Sequence, residues 1–286
     1  MNILVIGMCG NSLFYQKETN ELLKEEPGGK GYNQAVGIKK LGGCVSFLGA
    51  IGNDLSGESC SSYLDLNGIN NLLVKKDEAT TYATIYVDKE GNNEISVFLG
   101  AKLDFSYLPY IKEQIDCHDL IMLQNEIDEK LNIEIIKYAR ALNKILLVNP
   151  APIATWMKEY LSYFDFITPN EVEARALFMI PEGISSLEIG EFLLSKHVNN
   201  VLVTLGSKGS ILIKDGKKEF FPSLKVDAID TTGAGDLMNA CIAFGLQKGY
   251  SIEESIKLGT KACAYSVTKR YVLDSYPTLE ELSKIG

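Results

Sequence analysis

Short apolar runs recur along the chain, bounded by Gly, Pro, Asn or Asp: Ile3–Ile6, Val45–Leu48, Leu120–Leu123, Ile145–Val148, Phe164–Ile167 and Val201–Thr204. A run of Val, Ile, Leu or Phe without alternation predicts a strand covered on both faces. Between the runs, Asn33–Leu41, Glu129–Leu142, Glu171–Phe178 and Leu187–Lys196 place apolar residues at helical spacing. Such alternation predicts an α/β fold of three layers (α/β/α), with a central, mostly parallel sheet between helices.

Two stretches follow a period of two instead. Thr81–Val87 and Glu94–Leu99 flank Asp88-Lys89-Glu90-Gly91-Asn92-Asn93, which predicts a hairpin whose two faces differ. Ser210–Ile213 and Lys218–Phe221, around Asp215-Gly216, predict a second one. A hairpin projecting from an α/β core is expected to serve as a lid or a dimer contact. The chain carries no internal repeat, low-complexity tract or Pro/Gly/Ser-rich linker. Residues 1–286 are therefore expected to form one domain, with lid segments near 13–26 and 81–99.

Composition changes this picture only by exclusion. At 286 residues and 46% hydrophobic, the chain can bury a core without disulfides or metals. A net charge of −9 argues against a nucleic-acid partner, yet a local nest of amides still binds a small anion. The six cysteines form no C-x-x-C pair and there are only two histidines, so no zinc-site spacing exists. The cysteines are expected to be buried or half-buried free thiols. No stretch reaches membrane length, and Met1 leads into the first strand with no basic or apolar leader. A cytoplasmic protein without a membrane partner is the expectation.

Two segments carry candidate chemistry. Asp230-Thr231-Thr232-Gly233-Ala234-Gly235-Asp236 precedes the helical Leu237–Gln247. Small residues there let amides converge at a helix N-terminus into an anion hole. Asp236, in the first turn, is placed to take a proton from an attacking hydroxyl. The bland alternative is a tight turn with Asp236 as a helix cap. The second segment runs Pro27-Gly28-Gly29-Lys30-Gly31-Tyr32-Asn33-Gln34. Its glycines allow close backbone approach, and Lys30 and Asn33 offer donors to hydroxyls. It lacks P-loop spacing, and a loop with a solvated lysine is the alternative. A dinucleotide-binding reading fails, because Gly7-Met8-Cys9-Gly10-Asn11-Ser12 contains no G-x-G-x-x-G.

Together the two segments resemble the signatures of the ribokinase-like (pfkB) carbohydrate kinase family. Gly52-Asn53-Asp54, Asn149-Pro150-Ala151-Pro152, Thr168-Pro169-Asn170-Glu171 and Thr204-Leu205-Gly206-Ser207-Lys208-Gly209 match it in order across nearly the whole chain. The resemblance implies a ribokinase-like fold and transfer of the γ-phosphoryl group of ATP to a hydroxyl, primary in the expected case, of a pentose or hexose. It implies that Asp236 is the base and that Gly233, Ala234 and Gly235 form the anion hole. It assigns Gly28, Gly29, Lys30, Asn33 and Glu126 to the sugar. It places ATP against Asn170, Thr204, Gly206, Ser207 and Gly209, with Glu173 organising Mg²⁺ through water. Asp230, Thr232 and Ser275 match a K⁺ site, and a homodimer through lid strands is implied.

The sequence also departs from the family. Gly10 and Ser12 stand where the family's first strand ends in Asn-x-Asp, so Ser12 is the expected sugar contact, with Asn11 as a partial substitute. The stretch from Ser12 to Gly28 is short, implying a lid partly missing or rebuilt. Tyr32 replaces a small residue and either stacks on a substrate ring or joins the core. Tyr271 stands where Gly is expected in the cation loop, and would be strained if φ is positive there. These departures keep two alternatives open: a nucleoside kinase of the same family, and a non-catalytic sugar- or nucleotide-binding regulator.

Overall fold

All six apolar runs enter one sheet, since an unbroken apolar strand is stable only where helices cover both of its faces. The computed structural model describes residues 1–87, 93–198 and 200–284. The strands are β1 (Ile3–Ile6), β2 (Gly10–Gln16), β3 (Leu22–Gly28), β4 (Val45–Leu48), β5 (Ala50–Gly52), β6 (Asn70–Asn71), β7 (Val74–Lys76) and β8 (Thr81–Val87). They continue as β9 (Asn93–Phe98), β10 (Leu120–Leu123), β11 (Ile145–Val148), β12 (Phe166–Ile167), β13 (Val201–Thr204), β14 (Gly209–Lys214) and β15 (Lys217–Pro222). The helices are α1 (Lys30–Lys40), α2 (Leu55–Leu66), α3 (Leu108–Asp116), α4 (Glu129–Ala141) and α5 (Glu171–Leu177). After them come α6 (Ile189–Ser195), α7 (Ala234–Lys248), α8 (Ile252–Ser266) and α9 (Leu279–Ser283).

The large sheet has the order β15-β14-β13-β12-β11-β10-β1-β4-β6, parallel from β6 to β13 and closed by the antiparallel hairpin β14–β15. This is the three-layer α/β architecture that the alternation of apolar runs and helices predicts. Alternate side chains of each strand feed opposite faces. Ile3, Val5, Phe47, Met122 and Leu147 pack with α1, α7 and α8. Leu4, Ile6, Leu48, Ile121 and Val148 pack with the helices of the other layer. Helix α7 is buried continuously from Asp236 to Gly245, so its N-terminus is held rigidly at the carboxyl edge of the sheet.

A second, small sheet has the order β3-β2-β8-β9. The Ser12–Gly28 stretch, expected to leave the lid incomplete, supplies two paired strands to it. The first predicted hairpin appears as β8 and β9 in register Tyr82↔Phe98, while its turn at 88–92 lies outside the described residues. One strand is shorter than predicted: Phe164 caps the 3₁₀ segment Thr155–Tyr163, and pairing begins only at Phe166. The thiols also need correction, since Cys44 and Cys117 are exposed, although all six are free. Among the described residues no helix is long and apolar enough to cross a membrane.

Candidate active site

The site forms at the carboxyl edge of the sheet, where loops after parallel strands converge near the switch in strand order beside β1. The N-terminus of α7 points into it. Gly233 is the N-cap with φ 77°, and a Cβ there would lie 2.5 Å from Val272 Cγ1 and 2.9 Å from Tyr276 Oη. Both the left-handed conformation and the contact demand glycine. Tyr276 Oη donates to the Gly233 carbonyl at 2.8 Å and pins the turn. A Cβ on Gly235, by contrast, would meet no atom within 4 Å. That open space, at the positive end of the helix dipole, is a cradle for an anion.

Asp236 occupies the first turn of α7 and is only 7% exposed. Asn33 Nδ2 donates to its Oδ2 and Gln34 Nε2 to its Oδ1, each at 3.1 Å. Gln34 in turn accepts from Gln124 Nε2 at 2.6 Å, so β10 buttresses the first turn of α1. Asn239 Nδ2 donates to the Gly235 carbonyl at 2.9 Å, and Thr168 Oγ1 donates to Asn239 Oδ1 at 2.6 Å. The carboxylate and the cradle are thus fixed from α1, β10 and β12 before any ligand arrives. Burial raises the Asp236 pKa above the usual carboxylate range, while Lys30, Asn33 and Gln34 restrain the rise.

Lys30 opens α1 beside three acids. Burial lowers its pKa, but Asp236, Glu126 and Glu173 overcome that and hold it above the ordinary lysine value. Glu126 accepts from the Lys30 amide at 2.8 Å, and burial pushes its carboxyl up to about 7 despite the Lys30 charge. Glu173 is also raised by burial; its carboxylate accepts from the Asn170 amide at 2.8 Å while Asn170 Oδ1 caps α5, a reciprocal capping box. Three acids around one ammonium leave the site acidic, so a polyanion entering it needs added positive charge.

Two cavities meet here. One, of about 200 Å³, is polar and lined by Lys30, Asn170, Glu173, Asp236 and Asn239, among others. The other, of about 400 Å³, contains all of the predicted nucleotide residues on the β13–β14 turn: Thr204, Gly206, Ser207 and Gly209. Thr204 and Gly235 line both. The sequence reading missed the far wall of the larger cavity, formed by Leu224, Val226, Met238, Ala264 and Val267. It also assigned no role to Gln34, Asn149 or Asn239, the buried amides around Asp236. Polar residues just beyond strand ends or one helical turn past the aspartate were the available signal.

The remaining predicted residues are placed as follows. Ser12 lies half-buried with its Oγ against Gly28, where a Cβ would come within 2.6 Å of it, and Gly29 N-caps α1 with φ 107°. Asn11 faces the other way from Ser12, as adjacent strand residues do: its side chain donates to Glu25 at 2.9 Å and lies by Cys60. Tyr32 is a core residue. It is fully buried, donates to the Cys60 carbonyl at 2.8 Å and packs edge-on to Phe47. Asp230 accepts from the amides of Thr232 at 2.9 Å and Tyr271 at 3.2 Å. Tyr271 does adopt φ 67°, with its ring braced edge-on by Phe14. The Ser275 hydroxyl is buried between Ser266 and the Val272 carbonyl. Among the described residues no three His, Cys, Asp or Glu side chains form a direct metal cage.

A cradle at a helix N-terminus, a fixed aspartate beside it and an adjoining nucleotide-sized cavity define a phosphotransferase. Residues 2–279 match the pfkB family carbohydrate kinase model, and the chain belongs to that family. It is a sugar kinase. The chain is 36% identical to the ribokinase of Lactococcus lactis over 263 residues, which is 90% of this chain and 84% of that protein. The structure of ribokinase from Thermotoga maritima superposes with a TM-score of 0.86 at 34% identity, covering 98% of this chain and 97% of the other. That of Arabidopsis thaliana ribokinase, complexed with ribose and ATP, gives 0.83 at 26% identity over 99% and 97%.

Proposed function

We propose that this kinase phosphorylates a primary hydroxyl of ribose or a closely related pentose, with Asp236 as the base. The observation that carries the assignment is the position of the Asp236 carboxylate, buried, oriented by two amides and adjoining the Gly233–Gly235 cradle. The acceptor hydroxyl passes its proton to Asp236 as its oxygen bonds to the γ-phosphorus. The bond to the leaving ADP breaks, and the amides of the α7 turn face the charge on the transferring oxygens. Asn33 Oδ1 is buried without a partner among the described residues and is an acceptor for a sugar hydroxyl, beside Lys30, Glu126, Gly28, Gly29 and Ser12. A ribose ligand in the Arabidopsis relative supports the pentose. With Tyr32 in the core, one of the two features that favoured a nucleoside is gone, and Ser12 in place of the family's Asp is the one that stays.

ATP takes the larger cavity, with its phosphates toward Gly235. The acid surplus around Lys30 suits Mg²⁺ brought in with the nucleotide, and Glu173 and Asn170 are the residues that would hold it, through water. Asp230, the Thr232 carbonyl and Ser275 offer the all-oxygen donor set of a K⁺ site, and Tyr271 keeps the left-handed turn that a glycine would give. The bound cation would order the turn before α7. The small sheet serves as the lid. Its outer strand β9 exposes Val97 and Phe98, the contact for a homodimer. ATP dependence and free thiols suit the cytoplasm.

The test is coupled ADP release with Mg-ATP against pentoses, hexoses and nucleosides, with and without K⁺, for wild type and Asp236→Asn. Turnover strongest on ribose and lost in the variant is the expected result. ATP binding without turnover on any acceptor would sink the assignment and favour a regulator.

A further inference from the structure

Glu26 is an acid for which the catalytic scheme has no use. It lies on β3 of the small sheet, two residues before Gly28, and is only 4% exposed. Its Oε1 accepts from the amides of Val272 at 2.8 Å and Leu273 at 3.4 Å, and Oε2 is buried without a partner among the described residues. Burying a carboxylate with one oxygen unsatisfied is costly, so two amide bonds are a poor return if stability is their only purpose.

What those amides belong to gives the carboxylate a role. Val272 is the residue whose Cγ1 would stand 2.5 Å from a Cβ on Gly233, so it packs directly on the N-cap of α7. Tyr271, one residue earlier, donates its amide to Asp230, which also accepts from Thr232. Tyr276 holds the Gly233 carbonyl. The 271–276 loop is therefore the outer wall of the anion cradle. Two further contacts tie the same loop to the same hairpin: Lys24 pairs with Asp274 at 2.7 Å, and Phe14 of β2 meets the Tyr271 ring at 5.1 Å between centroids. The ion pair is largely exposed and the ring contact is apolar, with Phe14 buried and Tyr271 half-buried; Glu26 is the buried polar tie.

We infer that Glu26 is a positioning residue that fastens the wall of the anion cradle to the small sheet, through Val272 onto Gly233. The inference rests on the reading of that cradle as the phosphoryl site. Glu26 lines neither cavity, and its hydrogen bonds go to backbone amides. It makes the geometry of the cradle depend on the seating of β3, the strand that also leads into the sugar loop. A sheet that shifts over the sugar therefore moves the cradle wall with it.

The experiment compares Glu26→Ala, Glu26→Gln and Val272→Ala in the full chain, by amide hydrogen exchange and by steady-state kinetics on the best acceptor. Exchange in Glu26→Ala should rise at 272–273 and also at 230–236, with β10 unchanged, and Glu26→Gln should restore much of the protection. The kcat of Glu26→Ala should fall about tenfold with KM for the sugar within about twofold. Val272→Ala, which keeps the carboxylate but removes the contact on Gly233, should lower kcat in the same sense. Exchange rising only at 272–273, protection lost throughout the chain, or a Val272→Ala variant with wild-type kcat would overturn the inference. If wild type phosphorylates no acceptor, the functional reading fails, while the exchange pattern still decides the coupling. If Glu26→Ala does not fold, Val272→Ala decides it.

Discussion

The two cavities that meet at Thr204 and Gly235 differ in what they ask of the chain. The larger, about 400 Å³, is walled by Leu224, Val226, Met238, Ala264 and Val267. Such a pocket binds by shape and apolar contact, and its walls are also good core residues. The smaller, about 200 Å³, gathers Lys30, Asn149, Glu173, Asp236 and Asn239. Here the groups are charged or amide, their orientation is fixed by neighbours, and burial raises the pKa of both acids. One region gains affinity while supporting the fold; the other gives up stability for a preorganised field. Changes in the first should therefore act on KM for ATP, and changes in the second on kcat.

The sharpest way to break that division is Asp236→Asn. Loss of the proposed base should lower kcat by about 10²–10⁴, the usual contribution of a positioned base. ATP binding by calorimetry should stay within about threefold of wild type. If nucleotide affinity collapsed together with kcat, the cavities would not be separable.

Next in size is a pair of glycine variants. Gly235→Ala puts a Cβ into open space at the junction, so activity should fall about 10²-fold at an unchanged melting temperature. Gly233→Ala meets Val272 and Tyr276 at positive φ, and should cost about 1–3 kcal/mol of stability as well as activity. Thermal melts beside assays separate the two. Equal melting losses would mean that Gly235 is a folding residue.

A smaller effect is expected on the apolar side. Ala264→Leu adds bulk to the wall of the larger cavity and should raise KM for ATP about tenfold, with kcat nearly unchanged. A fall in kcat at unchanged KM would contradict the assignment of this cavity to the nucleotide.

The same contrast explains what the sequence could reveal. The α7 turn and the Gly28–Lys30 loop are local: Gly-Ala-Gly-Asp and Gly-Gly-Lys carry their geometry in a few consecutive residues, so the placement of Asp236 and Lys30 at one cavity was legible. Five strands match their apolar runs to the residue, because a doubly covered strand has no polar face to blur its ends. The partners of Asp236 were not legible as partners. Gln34, Gln124 and Asn149 meet only after three segments are placed side by side, and a lone amide carries no sign of what it will face. Tyr32 is the plainest case. The register of α1 turns Asn33 to Asp236 and Tyr32 to Phe47, which only the packed helix decides. The far wall of the larger cavity is made of apolar residues that no motif marks, although Ser251-Ile252-Glu253-Glu254 carried the capping-box signature of α8 in plain view.

The smallest predicted effect concerns the cost of the polar cavity itself. Glu126 titrates at about 7 in the folded protein, above the ordinary glutamate value of 4.5. Below pH 4.5 the group is protonated in folded and unfolded chains alike. Between 4.5 and 7 the unfolded chain releases the proton while the folded chain retains it, so stability falls as pH rises through that window. Asp236 and Glu173, both raised by burial, act with the same sign. Asp104 and Glu281, held at about 2 by hydrogen bonds, act with the opposite sign, but only below the ordinary carboxylate values. The melting temperature of the ligand-free protein should therefore drop by a few degrees from pH 5 to pH 8. Glu126→Gln keeps an oxygen for the Lys30 amide while removing the charge, and should flatten much of that slope. A slope unchanged in the variant would mean that Glu126 is ionised in the folded state across the whole range, and that the acid surplus around Lys30 is solvated rather than buried.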